Sequence, residues 1–207
     1  MSDRIRLSLW FEGRTKAQIL PRLALAAETL PLEALERGVN QFSVTALDWG
    51  EPPLLDEQVR PGGAVPDVVE AMRELVQDDC ACEVEMAWQV WTYTSGKWNQ
   101  RPLPLRLISV GPKFGGGVVQ EEGDLTVDFG LDEDFLAELA PWNRETRQHL
   151  QANIMQLLVY CRRLEERTRP AKRRLWSEGE SDWTNKLSQR LRMASAEAGD
   201  GSDKLVQ

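Results

Sequence analysis

The clearest alternation of hydrophobic and polar residues lies near the middle of the chain and predicts a β-hairpin. Two runs of alternating apolar residues flank Ser95-Gly96, a dipeptide typical of tight turns. A two-residue turn there would place Met86 opposite Leu105 on one face of the hairpin and Glu85 opposite Arg106 on the other. A shift of one residue would lose both matches, so the pattern predicts the register of the two strands as well as their pairing.

Shorter alternations predict further strands at residues 5–11, 42–49 and 125–129. The strongest helical stripe has apolar residues at i, i+4, i+7 and i+8, with Asn143 as its N-cap and Pro170 beyond its end. Together these elements predict an α+β fold with a mixed, mainly antiparallel sheet. Helices are expected to pack on one face of that sheet, and a long amphipathic helix is expected towards the C-terminus.

The first part of the chain contains a strand, a helix that Thr15 could cap, and a second strand, an order that favours a right-handed parallel crossover. Pro21 falls inside the helical stripe and predicts either a kink or a later start of the helix. A short helical turn is expected between Pro31 and Gly38. Residues 50–64 show no period and are rich in proline and glycine, which predicts a long loop of the kind that is often functional.

Composition divides the chain into three parts. Residues 1–168 are predicted to form a single α+β domain, residues 169–193 a basic appendage with a short amphipathic helix, and residues 194–207 a disordered tail. The net charge of the chain is −8, with acidic residues concentrated in the first part and basic residues in the second. Because an acidic body repels nucleic acid and suits a basic partner, we expect no direct nucleic acid binding by the body.

The chain has eight tryptophans and a single histidine, His149. Because histidine is the residue best suited to proton transfer near neutral pH, this balance favours a protein that packs and binds over one that catalyses. The first hypothesis is a non-enzymatic interaction protein, such as an adaptor or an inhibitor or immunity-type protein, whose partner is another protein. The expected binding residues are Trp49, Trp91, Arg106, Trp176, Trp183, Leu187, Arg190 and Leu191.

Five of these eight residues, from Trp176 onward, lie in the basic appendage. Trp183, Leu187 and Leu191 follow one another at i, i+4 and i+8, with Arg190 and Arg192 beside them, which predicts a short basic amphipathic helix. We expect the apolar stripe of this helix to be exposed and to dock on the partner. Binding of the helix to a membrane surface is a weaker alternative, because the helix is short and the acidic body repels anionic lipid. No apolar run is long enough to predict a membrane span.

The alternative hypothesis is a carboxylate-dependent, hydrolase-like enzyme. Asp48, Trp49 and Glu51 lie at the carboxyl end of a predicted strand and open the long loop, a place where ligands gather in open α/β sheets. Glu83 and Glu85 are two residues apart on a strand, about 6.6 Å along it, a separation compatible with paired acid–base work. An ordinary solvated face with ion-paired charges is the competing interpretation. The enzyme hypothesis requires a concave pocket in which burial raises the pKa of an acid.

Cysteine chemistry gives little reason to expect a bound metal or another cofactor. Cys80, Cys82, Cys161 and His149 would supply four possible zinc ligands, but their spacing matches no standard zinc motif. Three cysteines cannot all pair within one molecule, and the start of the chain lacks the apolar run of a signal peptide. We therefore expect reduced cysteines and a cytoplasmic protein, while the pattern leaves the oligomeric state open.

Overall fold

The structure is a computed structural model that describes residues 3–31, 35–117, 122–136, 140–179 and 183–196. Its strands are β1 (Arg4–Trp10), β2 (Leu35–Ala46), β3 (Leu55–Gly63), β4 (Cys80–Thr94), β5 (Lys97–Val110), β6 (Leu125–Leu131) and β7 (Lys172–Trp176). Its helices are α1 (Ile19–Thr29), α2 (Val65–Met72), α3 (Glu133–Leu136), α4 (Arg144–Thr168) and α5 (Trp183–Ala196). Within these residues, no helix has both the length and the apolar character that crossing a membrane requires.

The described strands form one sheet in the order β3-β2-β4-β5-β6-β1-β7, and each neighbouring pair is antiparallel. Apolar side chains from one face of the sheet pack with apolar side chains from all five helices in a single buried cluster. The predicted α+β fold is therefore confirmed, with its mainly antiparallel sheet, helices on one face and long helix α4. The other face of the sheet carries the candidate charged residues considered below.

The β4–β5 hairpin has the predicted two-residue turn and the predicted register, in which Glu85 faces Arg106 and Met86 faces Leu105. In the turn, Ser95 has a φ of 54° and the glycine that follows has a φ of 80°. Positive φ at both positions is the type I′ geometry, which matches the natural twist of the two strands. Local turn chemistry and side-chain alternation therefore agree, and both confirm the predicted hairpin.

The parallel crossover expected between the first two strands forms within one sheet, but the two strands are not neighbours in it. β1 pairs with β6 on one side and β7 on the other, whereas β2 pairs with β3 and β4. β1 and β2 run in the same direction, but β4, β5 and β6 lie between them in the sheet. The physical reason is that two strands distant in sequence take the backbone hydrogen bonds on both sides of β1, and the local order of elements carries no sign of such pairing.

Two segments between α1 and α2 also differ from the prediction. The helical turn expected between Pro31 and Gly38 lies partly outside the described residues, and from Leu35 onward the chain forms β2. The loop expected at residues 50–64 contains the edge strand β3, which forms a hairpin with β2. An edge strand tolerates Pro61 because its outer side needs no partner, and its broad exposure removes the alternation that normally marks a strand.

The start of α1 is compatible with Pro21, and the start of α4 is set by its N-cap residue Asn143. A 3-10 turn at Lys16–Gln18 precedes α1, so Pro21 falls in the first turn of α1, where its missing N–H costs no helical hydrogen bond. The later start of this helix is therefore confirmed. Helix α4 begins at its predicted cap, where Asn143 Oδ1 accepts a hydrogen bond from the Thr146 N–H at 2.9 Å.

The described residues of the basic appendage, 169–179 and 183–193, lie against the rest of the chain. β7 extends the sheet beside β1, and α5 packs on α3 and α4. Trp183 and Leu187 are both 0% exposed and belong to the main core, so the exposed apolar stripe expected on this helix is wrong. Helix α5 continues to Ala196, and the remainder of the predicted tail, residues 197–207, lies outside the described residues.

Candidate functional site

The face of the sheet opposite the helices carries charges of alternating sign. The register places Glu85 opposite Arg106, Arg106 opposite Asp128, and Asp128 opposite Arg6, so one row crosses four strands. Arg106 Nε lies 3.2 Å from Glu85 Oε2, and Arg6 Nε lies 3.8 Å from Asp128 Oδ2. Arg4 Nε approaches the same Asp128 oxygen to 2.6 Å. The carboxylates of this row are therefore ion-paired.

Glu83, Glu85 and Arg106 come together as the sequence predicts. The Arg106 guanidinium contacts both carboxylates, since its Nε also lies 3.6 Å from Glu83 Oε1. Burial raises the pKa of Glu83, against the opposing effect of Arg106, and the nearby Glu85 raises it further. One arginine thus pairs with two half-buried carboxylates, as the ion-paired interpretation of this face expects. The raised pKa of Glu83 is the property that the enzyme hypothesis requires of an acid.

Trp91 does not join the Glu83 group. Its indole stacks on the imidazole of His149 in α4, with ring centroids 3.9 Å apart, and the Trp98 ring centroid lies 5.2 Å from that of the same imidazole. The Trp91 N–H donates to Asn153 Oδ1 at 2.9 Å. Burial lowers the pKa of His149, while Glu145 opposes that shift. Trp91 and Trp98 thus pack the turn end of the β4–β5 hairpin against His149 of α4.

The predicted binding residues of the C-terminal part have structural contacts. Trp176 is half-buried and donates its Nε1–H to Ser8 Oγ at 2.9 Å. Arg190 donates to the Leu136 carbonyl at 2.9 Å, and Leu191 packs partly buried against the core. Together with the buried Trp183 and Leu187, these contacts show that the helix uses its apolar side for the core, while Arg192 is exposed.

An exposed apolar group occupies the turn between β2 and β3, here called the 47–54 turn. Leu47, Trp49 and Leu54 are 57%, 45% and 55% exposed. Exposed apolar residues scattered singly are ordinary on a protein surface, but a cluster of them marks an interaction site. The sequence predicts Trp49 as a binding residue but misses the two leucines, whose only signal is that they are apolar residues within a stretch rich in proline and glycine.

Long-range hydrogen bonds hold the backbone of the 47–54 turn. Leu47 has a φ of 69°, an uncommon conformation for a residue with a side chain. Its N–H donates to the Asp79 carbonyl at 2.8 Å, and its own carbonyl accepts from the Gly115 N–H at 2.7 Å. The Leu54 N–H donates to the Val44 carbonyl at 2.7 Å. The backbone conformation that exposes Leu47 is therefore determined by its surroundings.

Trp49 rests on a second, smaller apolar cluster on the open side of the sheet. Its ring meets the Phe114 ring edge to face, with centroids 4.8 Å apart and planes at 72°. Phe114 is buried and packs against Ala81 and Val110. Edge-to-face aromatic pairs are favoured by the charge distribution of the two rings. Trp49 is consequently held in place while nearly half of its surface remains exposed.

Acidic residues surround the apolar group. Asp48 and Glu51 lie within the 47–54 turn, and Asp48 Oδ1 accepts a hydrogen bond from the Gly50 N–H at 2.7 Å. Asp78 and Asp79 lie next to the turn through the backbone contact of Leu47, and Lys113 Nζ is 3.3 Å from Asp78 Oδ2. Asp48 and Glu51 do not line the cavity at the end of β1, the start of α1 and the end of α4. The site has the form of an exposed apolar group with an acidic border.

The described residues gather no group of three histidines, cysteines or acids that could hold a metal ion. Cys80, Cys82 and Cys161 are buried and unpaired. Burial raises the pKa of the Cys82 thiol to about 12 and raises that of Cys161 as well, so both remain protonated thiols near neutral pH.

Asp134, in the short helix α3, gives a testable dependence of stability on pH. Burial, and to a smaller extent Glu133, raises its pKa from 3.8 to about 6. Because the folded pKa lies above the unfolded one, the folded state is favoured by protonation, and stability is lost as the pH rises from 3.8 to about 6. We expect Asp134→Asn to raise the Tm at neutral pH and to leave it unchanged below both pKa values. Thermal unfolding at the two pH values measures this, and an equal gain at both would contradict it.

Neither protein-family models, nor curated proteins, nor solved structures match this chain. The candidate site is therefore defined by the geometry of the described residues. The 47–54 turn combines exposed apolar area, a fixed backbone and a mainly acidic border, which are the properties of a protein-binding surface.

Proposed function

We propose that this chain is a non-enzymatic interaction protein, an adaptor or an inhibitor, that docks another protein through the 47–54 turn. The observation that carries the proposal is the concentration of Leu47, Trp49 and Leu54 on one turn whose backbone is fixed by hydrogen bonds. Tryptophan is the residue most enriched at interface hot spots. A fixed backbone lowers the entropy lost on binding, because the contact residues are already ordered in the free protein.

The partner that fits this turn is a basic protein surface with an apolar pocket for Trp49. Asp48 and Glu51 border the apolar group, and the chain as a whole has a net charge of −8. Complementary charge accelerates association and excludes partners of like charge. The same acidic character supports the proposal that the body does not bind nucleic acid directly.

A cytoplasmic location is part of the proposal. The three cysteines are buried and unpaired, and reduced thiols are typical of proteins in a reducing compartment.

The test is site-specific capture followed by reconstitution. A photoreactive phenylalanine derivative replaces Trp49 in one version of the full chain and Met155, 43% exposed on α4, in another. The protein captured from position 49 in native cells is then purified, and its affinity for the unmodified chain is measured. We expect Trp49→Ala to weaken this affinity by about 30-fold or more, as for a hot-spot residue. Met155→Ala is the matched control and should leave the affinity unchanged.

Salt provides a second measure of the same interaction. Binding should weaken as the salt concentration rises, because salt screens the attraction between the acidic border and a basic partner.

Equal capture from positions 49 and 155, or an unchanged affinity of Trp49→Ala for the purified partner, would refute docking through the turn. An acidic contact surface on the partner would refute the charge argument.

The carboxylate-dependent enzyme remains a second candidate because of one observation, the raised pKa of Glu83 beside Glu85. An acid with a raised pKa is suited to proton transfer near neutral pH. This candidate predicts that Glu83→Gln abolishes hydrolysis of an activated ester or glycoside while Glu57→Gln, on the exposed edge strand β3, does not. If the full chain hydrolyses neither substrate, the enzyme candidate is refuted.

A further inference from the structure

A cavity of about 600 Å³ lies where β1 ends, α1 begins and α4 ends. Its volume falls within the range of about 300–1,000 Å³ that small-molecule sites occupy. It shares no residue with the 47–54 turn, so what it binds is independent of the proposed docking. Its lining includes Phe11, Gln18, Arg22, Leu25, Arg167 and Arg169.

Positive charge prevails in this cavity, although the chain has a net charge of −8. Three arginines line it against a single acid, Glu12. Arg22 extends over the Phe11 ring, with its Cζ 4.2 Å from the ring centroid, and donates to Gln18 Oε1 at 2.8 Å. Within the described part of the chain, Arg22 forms no ion pair. Its guanidinium therefore keeps donors for a further acceptor.

Asp124, a buried carboxylate that acts electrostatically on Arg22, is already engaged by other groups. Arg14 Nε lies 3.0 Å from Asp124 Oδ1, and the Phe11 N–H donates to Oδ2 at 2.7 Å. Burial lowers the pKa of Arg22, while Asp124 opposes that shift and Arg14 adds to it. Arg22 is thus a partly desolvated cation, and the buried carboxylate that opposes this effect is paired with Arg14. An anion in the cavity would supply the charge that this arrangement lacks.

Arg169 brings a second guanidinium to the cavity from the end of α4. Its backbone is fixed in the left-handed region, at φ 48° and ψ 61°, and its N–H donates to the Glu165 carbonyl at 2.8 Å. Among the described residues its side chain has no ion-pair partner. Arg167 is already occupied, since it donates to Thr29 Oγ1 at 2.8 Å and its Nη2 lies 3.5 Å from Glu28 Oε2. A left-handed residue is a common way for a helix to end, so this conformation of Arg169 closes α4.

The geometry points to a site for a small organic anion, a carboxylate or a phosphate ester with an apolar body, held between Arg22 and Arg169. Guanidinium groups bind such oxyanions through paired N–H donors in one plane. Phe11, Pro21 and Leu25 supply apolar lining for the body of the ligand. The combination of an apolar wall with a few convergent polar groups is typical of a small-molecule site.

The test is a titration of the full chain with isotope-labelled arginine side chains, followed by nuclear magnetic resonance. The probes are benzoate and phenyl phosphate, with neutral benzamide and inorganic phosphate as controls. We expect saturable shifts of the Nε–H signals of Arg22 and Arg169 with benzoate, phenyl phosphate or both. Arg22→Gln and Arg169→Gln should each weaken binding by about tenfold or more, the loss typical of a charge-assisted hydrogen bond. Arg101→Gln, exposed on β5, should leave the affinity unchanged.

The probes separate the two sources of the oxyanion. Binding of benzoate alone assigns a carboxylate and binding of phenyl phosphate alone assigns a phosphate ester, and either result supports the site. No saturable shift with either anion overturns it, as does benzamide binding as tightly as benzoate. Inorganic phosphate binding as tightly as phenyl phosphate overturns the role of the apolar wall. Because the unmodified chain is titrated directly, a variant that fails to fold leaves the test intact.

Discussion

Trp183→Ala is expected to lower the free energy of unfolding by about 3–5 kcal/mol, as loss of a fully buried large side chain does. Trp183 is 0% exposed and belongs to the main core, to which α5 contributes it together with Leu187. Because small domains are stable by only about 5–15 kcal/mol, this single substitution should remove a large part of the stability of the protein. Unfolding in urea, followed by circular dichroism, measures the effect.

Two further substitutions separate packing from a general effect on the helix. Met193→Ala, at a residue of α5 that is 53% exposed, should change the free energy of unfolding by no more than about 0.5 kcal/mol. Trp183→Phe should cost less than Trp183→Ala, because it keeps an aromatic ring. It also removes the indole N–H, which has no hydrogen-bond partner among the described residues.

The result bears on function as well as stability. If Trp183→Ala unfolded at the same urea concentration as the unmodified chain, α5 would not be packed on the core. Its apolar stripe would then be available to bind a partner protein, as the sequence predicts. If the expected loss is observed, a chain truncated after Thr168 is unsuitable for binding experiments. Truncation would remove β7 from the sheet beside β1 and would leave the site of Trp183 empty.

The apolar stripe of α5 illustrates where sequence patterns stop being informative. Trp183, Leu187 and Leu191 repeat with the period of one helical face, and that period predicts the helix correctly. The same stripe would serve equally well for the core of the chain or for a partner protein. Only the position of α5 on α3 and α4 decides between them, and that position depends on contacts distant in sequence.

The β4–β5 hairpin could be predicted in detail for the opposite reason. Its turn is local, and two separate patterns, an apolar pair at Met86 and an ion pair at Glu85, require the same register. The edge strand β3 could not be predicted, because its core-facing Leu55 and Val59 are separated by the exposed Glu57, which breaks the alternation.

Part of the candidate site could likewise be predicted from the sequence and part could not. Trp49 is recognisable as a large aromatic residue in a loop, and its role in binding remains a prediction. The exposure of Leu47 could not be predicted, because it follows from hydrogen bonds to Asp79 and Gly115, which are far away along the chain. Phe114, which supports the Trp49 ring, lies in a glycine-rich segment that the sequence indicates only as a connection.

Asn153→Leu is expected to destabilise the protein by about 3 kcal/mol or more, because it leaves three backbone groups without their partner. Asn153 is 1% exposed. It accepts a hydrogen bond from the Trp91 N–H at 2.9 Å and donates to the carbonyls of Trp91 at 2.7 Å and Asp134 at 2.9 Å. One side chain of α4 thus satisfies the free edge of β4 and ties it to α3.

Asn153→Asp tests whether the two donated hydrogen bonds matter more than the volume of the side chain. The carboxylate would keep the acceptor for the Trp91 N–H but would face two carbonyl oxygens, so its folded pKa should lie above its unfolded one. The variant should therefore come closest to the unmodified chain at low pH and lose stability as the pH rises through that range. Comparison with the unmodified chain at each pH removes the contribution of Asp134.

Asn99 provides the matched control for these variants. It is half-buried on β5 and makes a long, exposed hydrogen bond of 3.4 Å to the Lys97 carbonyl. Asn99→Asp should change the free energy of unfolding by no more than about 0.5 kcal/mol at any pH. A loss for Asn153→Asp that does not depend on pH would mean that the carboxylate reaches water, and the edge of β4 would then be open instead of closed by α4. A pH-dependent loss would identify Asn153 as the residue that joins the hairpin to the helical layer.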